Sequence, residues 1–286
     1  MQSAIQHLQS SLKGIYPDTE IMSFSNLIVQ HLTGMSRVEI LMNKNTIFSN
    51  EQRYELDCII EKLKFFVPIQ YILGETEFFG LPFRVSNSVL IPRPETEELV
   101  DWIQNENKEQ SDLSILDIGT GSGCIAITLK HIFENAKVDA FDISENALAI
   151  AGENAKLNNV AVHFSNVDIL NAPLMDNKWD IIVSNPPYIP ELEKAEILPN
   201  VLNHEPHLAL FVPDNDWLIF YRSIAEFANI HLHPGGKLYI EIHKDAGNEC
   251  VEMLLNMGFQ NVELRKDISG NDRMVKGQRQ ESGSKE

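Results

Sequence analysis

The chain has 286 residues, 43% of them hydrophobic, which is enough apolar material for one large packed domain or two ordinary ones. Its 41 acidic and 23 basic residues give a formal net charge of −18, which argues against a partner held by phosphate neutralisation, because nucleic-acid binding shows a basic stripe. No segment approaches the roughly 18 apolar residues of a membrane span, and Met1 to Leu12 lacks a basic stretch followed by an apolar one, so no membrane association and a cytoplasmic location are expected.

Acidity of this size keeps a protein soluble or steers it toward a basic protein. Cys58, Cys124 and Cys250 are scattered, with no CxxC pair and no His at ligand spacing, which predicts neither disulfides nor a metal site. They read as small buried apolar residues.

From Met1 to about Leu73 the apolar residues recur mostly at spacings of three and four, as in Ile5, Leu8 and Leu12, then Leu27, Ile28 and Leu32, then Leu56, Ile59, Ile60, Leu63 and Phe66. The pattern predicts a small helical domain over residues 1–73. Ser49 with Gln52 and Glu55 starts its last long helix, and Val67-Pro68 closes it. Over residues 74–94 aromatic and β-branched residues flank Gly80-Leu81-Pro82, which predicts a β-hairpin linker. Pro92, Pro94, Glu95, Glu97 and Glu98 then suit the first turn of a new helix.

Residues 95–277 alternate strand and helix: strands at Ser114 to Ile118, Lys137 to Phe141, Val162 to Phe164, Trp179 to Ser184 and Lys237 to Ile242, with helices at Cys124 to Glu134 and Ser144 to Leu157. This alternation specifies an α/β domain with a mostly parallel sheet covered on both faces. The segment 278–286 is low in complexity and reads as a disordered tail.

Ile115 to Gly123 runs from a strand into a glycine-rich turn that opens a helix, where glycines permit close backbone approach and the helix end presents free N–H groups. Glycines fall at 119, 121 and 123, whereas a dinucleotide fingerprint wants the third at 124, which is Cys124, so a pyrophosphate cofactor is disfavoured. Asp142 closes the next strand, where doubly wound folds set a carboxylate against ribose hydroxyls; a helix cap is the alternative, though Ser144 is the better cap. Asp168 falls where a third loop reaches an adenine amine, or is a solvated loop acid. Asp117 braces the glycine loop or partners a cationic group of the cofactor.

Asn185-Pro186-Pro187-Tyr188 follows the strand Trp179 to Ser184 and sets a primary amide, carbonyls and an aromatic face at the strand's mouth. This suits a flat, NH2-bearing substrate. Its nitrogen lone pair is delocalised, so acceptors at the Asn185 side chain and the Pro186 carbonyl would take its two hydrogens while Tyr188 packs on the planar group. Catalysis would rest on positioning and electrostatics, without a covalent intermediate.

Asp-x-Gly-x-Gly-x-Gly, the acid after the second strand and Asn-Pro-Pro-Tyr together resemble the Rossmann-like S-adenosylmethionine-dependent methyltransferases that modify planar amino groups. Over residues 68–277 the chain further resembles the HemK/PrmC family, through Pro68 to Gly74, Leu90-Ile91-Pro92-Arg93-Pro94-Glu95-Thr96-Glu97, His204 to Leu210 and Asp267 to Arg273. The resemblance implies N5-methylation of the glutamine in the Gly-Gly-Gln motif of bacterial peptide chain release factors. The helical domain is read as the substrate-docking module, because a methyltransferase sheet alone leaves little surface for choosing one protein, with a purely stabilising role as the alternative; a monomer is expected. It also implies that Asp117, Gly119, Thr120, Gly121, Ser122, Gly123, Asp142, Asp168, Ile169, Asn185 and Arg93 bind S-adenosylmethionine, and that Asn185, Pro186, Pro187 and Tyr188 hold the glutamine, with Asn185, Pro186 and Tyr188 catalytic.

Arg93 lines the cofactor site by this likeness, or belongs to a helix-entry turn; Glu205 edges the substrate channel, or sits in a simple turn. Glu95 stands where many relatives have Asp, and Ile169 where some carry an aromatic ring. Alternatives are a glutamine methyltransferase acting on a ribosomal protein and an adenine-N6 nucleic-acid methyltransferase, the latter disfavoured by the charge of −18.

Overall fold

The structure is a computed structural model describing residues 1–43 and 45–281. In chain order its helices and strands are α1 (Gln2–Leu12), α2 (Asp18–Thr33), α3 (Arg37–Met42), α4 (Asn50–Lys64), α5 (Ile69–Leu73), β1 (Glu75–Phe78), β2 (Leu81–Arg84), α6 (Pro94–Asn107), β3 (Ser114–Ile118), α7 (Cys124–Ile132), β4 (Lys137–Asp142) and α8 (Glu145–Leu157). There follow β5 (His163–Asn166), β6 (Trp179–Ser184), β7 (Ile189–Pro190), α9 (Pro199–Leu202), β8 (Phe211–Val212), α10 (Ile219–His231), β9 (Leu232–Glu241), α11 (Gly247–Asn256), β10 (Gln260–Lys266) and β11 (Asp272–Gln278). The chain divides into two compact units, residues 1–74 with 198–204, and residues 75–197 with 205–286.

The first unit is helical. Its apolar spacing buries Leu8 and Leu12 of α1, Ile21 and Ile28 of α2, and Leu56, Ile60 and Leu63 of α4 in one core. Glycine at position 34 ends α2 in the left-handed region, and Ser49 opens α4 with a capping box in which Gln52 returns a bond to the Ser49 N–H. Residues 198–204, expected in the α/β domain, belong to this unit, where the His204 ring meets the Phe65 carbonyl at 2.9 Å.

The second unit is built on a seven-stranded sheet of order β10-β11-β9-β6-β3-β4-β5. β9, β6, β3, β4 and β5 run parallel, while β11 is antiparallel to both β9 and β10. Alternate strand residues point to opposite faces. Ile115, Ile181 and Val183 therefore pack with Leu99 and Trp102 of α6 and with Ile125 and Leu129 of α7, while Leu116, Ile118 and Ile182 pack with Ile224 of α10 and Leu254 of α11.

The hairpin β1-β2 belongs to this second unit and is no separate linker. Phe78 and Phe83 are buried in the α6/α7 core, and the Arg84 backbone N–H donates to the Asn154 side chain at 2.6 Å.

Three further features differ from the sequence-based expectation. The helices α10 and α11 and the antiparallel pair β10-β11 are absent from it, although the buried residues of α10, Tyr221, Ile224, Ala225 and Ala228, recur at helical spacing. The expected tail also starts later, because Gln278 pairs with Lys237 and the Arg279 N–H donates to the Gly236 carbonyl. The rest of that tail, residues 282–286, lies outside the described residues, as does Lys44. Nor are all three cysteines buried: Cys250 is, Cys124 is half-buried and Cys58 is exposed.

Candidate active site

The parallel register aligns the carboxyl ends of the central strands. Ser184 of β6 pairs with Ile118 of β3 and Ile240 of β9, and Ile118 pairs with Phe141 of β4. The next residues along the chain, Asn185, Gly119, Glu241 and Asp142, are thus brought side by side at one edge of the sheet. Ligands of open α/β sheets bind at this edge.

A cavity of about 440 Å³ opens there, the size of a small-molecule site. Its walls include Ile118 to Ser122, Asp142, Asp168, Ile169, Asn185, Pro186 and Pro187, with the strap Asn87 to Leu90, Pro92 and Arg93 across it. Among the described residues lining it, Arg93 is the one cation.

At one end the glycine loop does the shaping. Gly119 and Gly121 adopt φ of 75° and 55°, conformations that cost an L side chain about 1–2 kcal/mol, and nothing lies within 4 Å of where a Cβ would stand. Their backbone is therefore open to a ligand. The loop is fixed from behind by the Gly119 and Thr120 N–H groups donating to the Phe141 carbonyl, and from below by Asp117, which accepts from the Thr120 hydroxyl at 2.6 Å and the Ala126 N–H at 3.2 Å. Asp117 is fully buried behind the loop, and burial, with some help from the Asp142 charge, pushes its carboxyl up to about 7 against those hydrogen bonds. It is a brace; it does not line the cavity.

Gly123 does not line it either. A Cβ there would come 2.8 Å from Ile127 Cδ1 and 3.1 Å from Ala151 Cβ, so this glycine serves the packing of α7 on α8.

Asp142 lies between loop and cavity. Its Oδ2 accepts from the Gly121 N–H at 2.8 Å and its Oδ1 from the Ser144 N–H at 2.9 Å, leaving each oxygen one lone pair for a ligand hydroxyl. Ser144 caps α8, so Asp142 is free of that task. Asp168 caps a 3-10 turn through the Leu170 N–H and also accepts from Asn171, and like Ile169 it faces the cavity.

At the other end Asn185 is positioned by side chains from distant parts of the chain. Its Nδ2 donates to Thr96 Oγ1 at 3.0 Å, and the Thr96 hydroxyl donates to Glu241 at 2.7 Å. Asn185 Oδ1 takes no hydrogen bond from the described residues and remains available as an acceptor.

Tyr188 departs from expectation. Its ring does not line the cavity but packs beside His243, and its hydroxyl donates to the second Glu241 oxygen at 3.2 Å. Burial, then the Glu241 charge, raises its pKa, so the phenol stays protonated. Glu205 departs too: its side chain is 1% exposed and accepts from Arg93 at 2.6 Å and from the Ile91 N–H at 3.4 Å, pinning the strap and standing outside the cavity lining.

Thr96 and Glu241 escaped the sequence reading. The available signal was an acid at the end of the apolar strand Leu238-Tyr239-Ile240-Glu241 and a threonine inside the quoted Arg93 to Glu97 stretch. Burial pushes Glu241 up to about 7, with the Thr96 hydroxyl, Arg273 and Tyr188 opposing. Cys124, the one thiol on the cavity wall, is pushed up to about 12, first by burial and then by the Asp117 charge, so it supplies no thiolate nucleophile at neutral pH. Among the described residues no cluster of three or more His, Cys, Asp or Glu could hold a metal ion, and no helix is long and apolar enough to cross a membrane.

The donor set fits a cationic, hydroxyl-bearing ligand better than a phosphate. Two carboxylates face the cavity, and Arg93 is already paired with Glu205.

Comparison with known proteins agrees with this architecture. Residues 3–74 match the PrmC N-terminal domain and residues 95–208 the methyltransferase small domain. A release factor glutamine methyltransferase of Flavobacterium psychrophilum is 51% identical over 269 residues, covering 93% of this chain and 94% of its own. One from Bacteroides thetaiotaomicron is 48% identical over 280 residues, 98% of this chain and 100% of its own. A methyltransferase crystal structure from Pyrococcus furiosus shares the fold, with a TM-score of 0.52 at 21% identity, covering 71% of this chain and 91% of that one. Similarity of this extent, across both units and nearly end to end, makes the chain a member of the release factor glutamine methyltransferase family.

Proposed function

We propose that this protein transfers a methyl group from S-adenosylmethionine to the side-chain amide nitrogen of a glutamine in a peptide chain release factor, the glutamine of its Gly-Gly-Gln motif. The observation that carries the reading is the Asn185 amide, oriented by Thr96 so that Oδ1 is left as an acceptor beside an open glycine loop.

S-adenosylmethionine, when bound, supplies an electrophilic methyl group to the substrate nitrogen, which gives up one proton as the new bond forms. The residues that would hold it are the backbone of Gly119 to Ser122, Asp142 toward its hydroxyls, and Asp168 with Ile169 around its base. Asp117 and Gly123 contribute behind the loop, as brace and packing glycine.

Asn185 Oδ1 and the Pro186 carbonyl would accept the two hydrogens of the substrate amide, which directs the nitrogen lone pair outward to the donor. Pro186 and Pro187, which also line the cavity, would contact the planar group in place of the Tyr188 ring. No general base with a nearby imidazole or amine is required, because an amide nitrogen that gains a fourth bond becomes strongly acidic and sheds its proton to water or to the accepting oxygens.

The helical unit is the proposed docking surface. It exposes Val38, Leu41 and Met42 on α3 and Ile47 beyond it, at 65–80% of their accessible areas. Such apolar side chains suit contact with a protein. The proposed setting is the cytoplasm and the active form a monomer.

The direct test incubates the protein with S-adenosylmethionine and an intact release factor and reads the glutamine by mass spectrometry, with duplex DNA as a parallel acceptor. Methyl on the Gly-Gly-Gln glutamine is expected; transfer to DNA alone would overturn the reading. Leu41→Asp with Met42→Asp should raise KM for the intact factor several-fold and leave a short Gly-Gly-Gln peptide unaffected; an equal effect on both would remove the docking role.

A further inference from the structure

Asn185 has one correct amide orientation for this chemistry, and no hydrogen bond within the Asn185-Pro186-Pro187-Tyr188 segment sets it directly. An asparagine side chain rotated by half a turn about its last bond would present NH2 to the substrate NH2, two donors facing each other. With Glu241 ionised, what prevents this is a chain of hydrogen bonds of fixed direction. Glu241 Oε2 accepts the Thr96 hydroxyl proton, so Thr96 Oγ1 has only lone pairs left for Asn185 and must receive Nδ2–H. The opposite carboxyl oxygen of Glu241 accepts from Tyr188, which holds the carboxyl plane in place, and Thr96 and Glu241 are 2% and 1% exposed, so water does not compete.

We propose that Thr96 and Glu241 are the positioning residues of the reaction, a relay that fixes the Asn185 amide with Oδ1 toward the substrate and strengthens that oxygen as an acceptor. The strengthening follows from amide resonance. Donation from Nδ2 toward a carboxylate-backed hydroxyl draws electron density off nitrogen and onto Oδ1. That oxygen faces a nitrogen that gains positive charge as it is alkylated, so the benefit is greater in the transition state than in the bound substrate. Tyr188 acquires its role by the same route: its hydroxyl holds Glu241, and its ring never needs to touch the glutamine. The three elements involved, α6, the segment after β6 that carries both Asn185 and Tyr188, and the end of β9, meet because the parallel register sets Asn185 and Glu241 at the same level of the sheet.

The relay rests on the glutamine-methylating reading of the same site, and its test separates the two. Thr96→Val removes the hydroxyl at nearly constant volume, Thr96→Ser restores it, and each is made with Asn185 intact and in Asn185→Ala. We expect Thr96→Val to lower kcat by roughly 10- to 100-fold, in the range of one lost positioned polar group, with KM for the release factor and calorimetric Kd for S-adenosylmethionine within about 3-fold. Thr96→Ser recovers most of that rate. In the Asn185→Ala background Thr96→Val should cost less than about 3-fold, because residues acting through one another are not additive. Independently of turnover, the Asn185 side-chain NH2 resonance of the 15N-labelled protein, assigned by its loss in Asn185→Ala, should shift and exchange faster with solvent in Thr96→Val and in Glu241→Gln. An equal cost of Thr96→Val in both backgrounds, or an unchanged Asn185 resonance in a folded Thr96→Val protein, overturns the relay. Absence of any methyl on the release factor with the unaltered protein overturns the proposed function instead, and the Asn185 resonance still decides the orientation.

Discussion

The two ends of the cavity are built by different means. At the glycine loop, the backbone makes the surface, and its supports lie within one strand-loop-helix segment or on the neighbouring strand: Asp117 and Thr120 three residues apart, Asp142 one strand over. At Asn185, one side chain makes the surface, and its supports are distant in sequence: Thr96 lies 89 residues before it, and Glu241, which holds Thr96, comes from a different strand. A backbone cradle is carried by local residue types. A positioned side chain is carried by the fold. The loop should accordingly tolerate damage elsewhere in the sheet, whereas Asn185 should not.

The largest expected effect separates chemistry from binding. Asn185→Ala should lower the rate by roughly 10² or more, the scale of losing one preorganised polar group, with S-adenosylmethionine Kd nearly unchanged in calorimetry. A variant with near-normal turnover would erase the distinction between the two ends.

The mirror experiment is Asp142→Ala. Removing a charged acceptor of about 1.5–3 kcal/mol predicts a cofactor Kd weaker by roughly 10- to 100-fold, and the same change also frees the Gly121 N–H that Asp142 holds. The release factor KM at saturating cofactor should stay the same; a change confined to it would place Asp142 at the wrong end.

Gly123→Ala asks whether every glycine of the loop is a ligand glycine. Its φ of +82° and the 2.8 Å approach of a Cβ to Ile127 predict a destabilisation of about 2–4 kcal/mol, read as a lowered Tm, because strain and overpacking add. Saturating cofactor should raise the Tm of the variant by as much as that of the parent. A smaller rise would return Gly123 to the binding surface.

The same contrast explains what the sequence made legible. The loop could be read because glycines at 119 and 121 and the acids at 117 and 142 have local reasons to be there, and the parallel sheet because short strand segments alternate with helical ones along the chain. Tyr188 was misplaced because an aromatic next to a substrate-binding asparagine has two possible directions, toward the ligand or back into the protein, and only packing against His243 and Glu241 decides. Glu205 was misplaced for a similar reason. Its partner Arg93 is 112 residues away, and no spacing rule links them. Thr96 and Glu241 were missed because a buried acid is conspicuous in sequence only once the burial of its position is known. The strands β10 and β11 were missed because polar residues interrupt their apolar positions, even though β11 is largely buried.

One property is shared by both ends and yields the smallest effect. Asp117 under the loop and Glu241 behind Asn185 are each pushed up to about 7, by burial before any other cause. A carboxyl whose pKa is higher folded than unfolded holds its proton more tightly in the folded chain, so protonation favours folding. The cost of ionising it is absent below the ordinary carboxyl range near 4, accrues as pH rises from there to about 7, and is complete above that. Each group thus lowers stability with rising pH by at most about 1.4 kcal/mol per pH unit inside this window. Glu106 acts outside it: burial alone would raise its pKa, but hydrogen bonds from Lys276, Trp102 and Tyr239 outweigh that and bring it to about 2, so its contribution is lost only as pH falls below the carboxyl range. Denaturant titrations between pH 5 and pH 8 should therefore give a shallower slope for Asp117→Asn and for Glu241→Gln than for the parent, each by a comparable amount. Equal slopes for Glu241→Gln and the parent would mean that water reaches Glu241, and a wet Glu241 would leave Thr96 free to turn its hydroxyl elsewhere and Asn185 free to rotate.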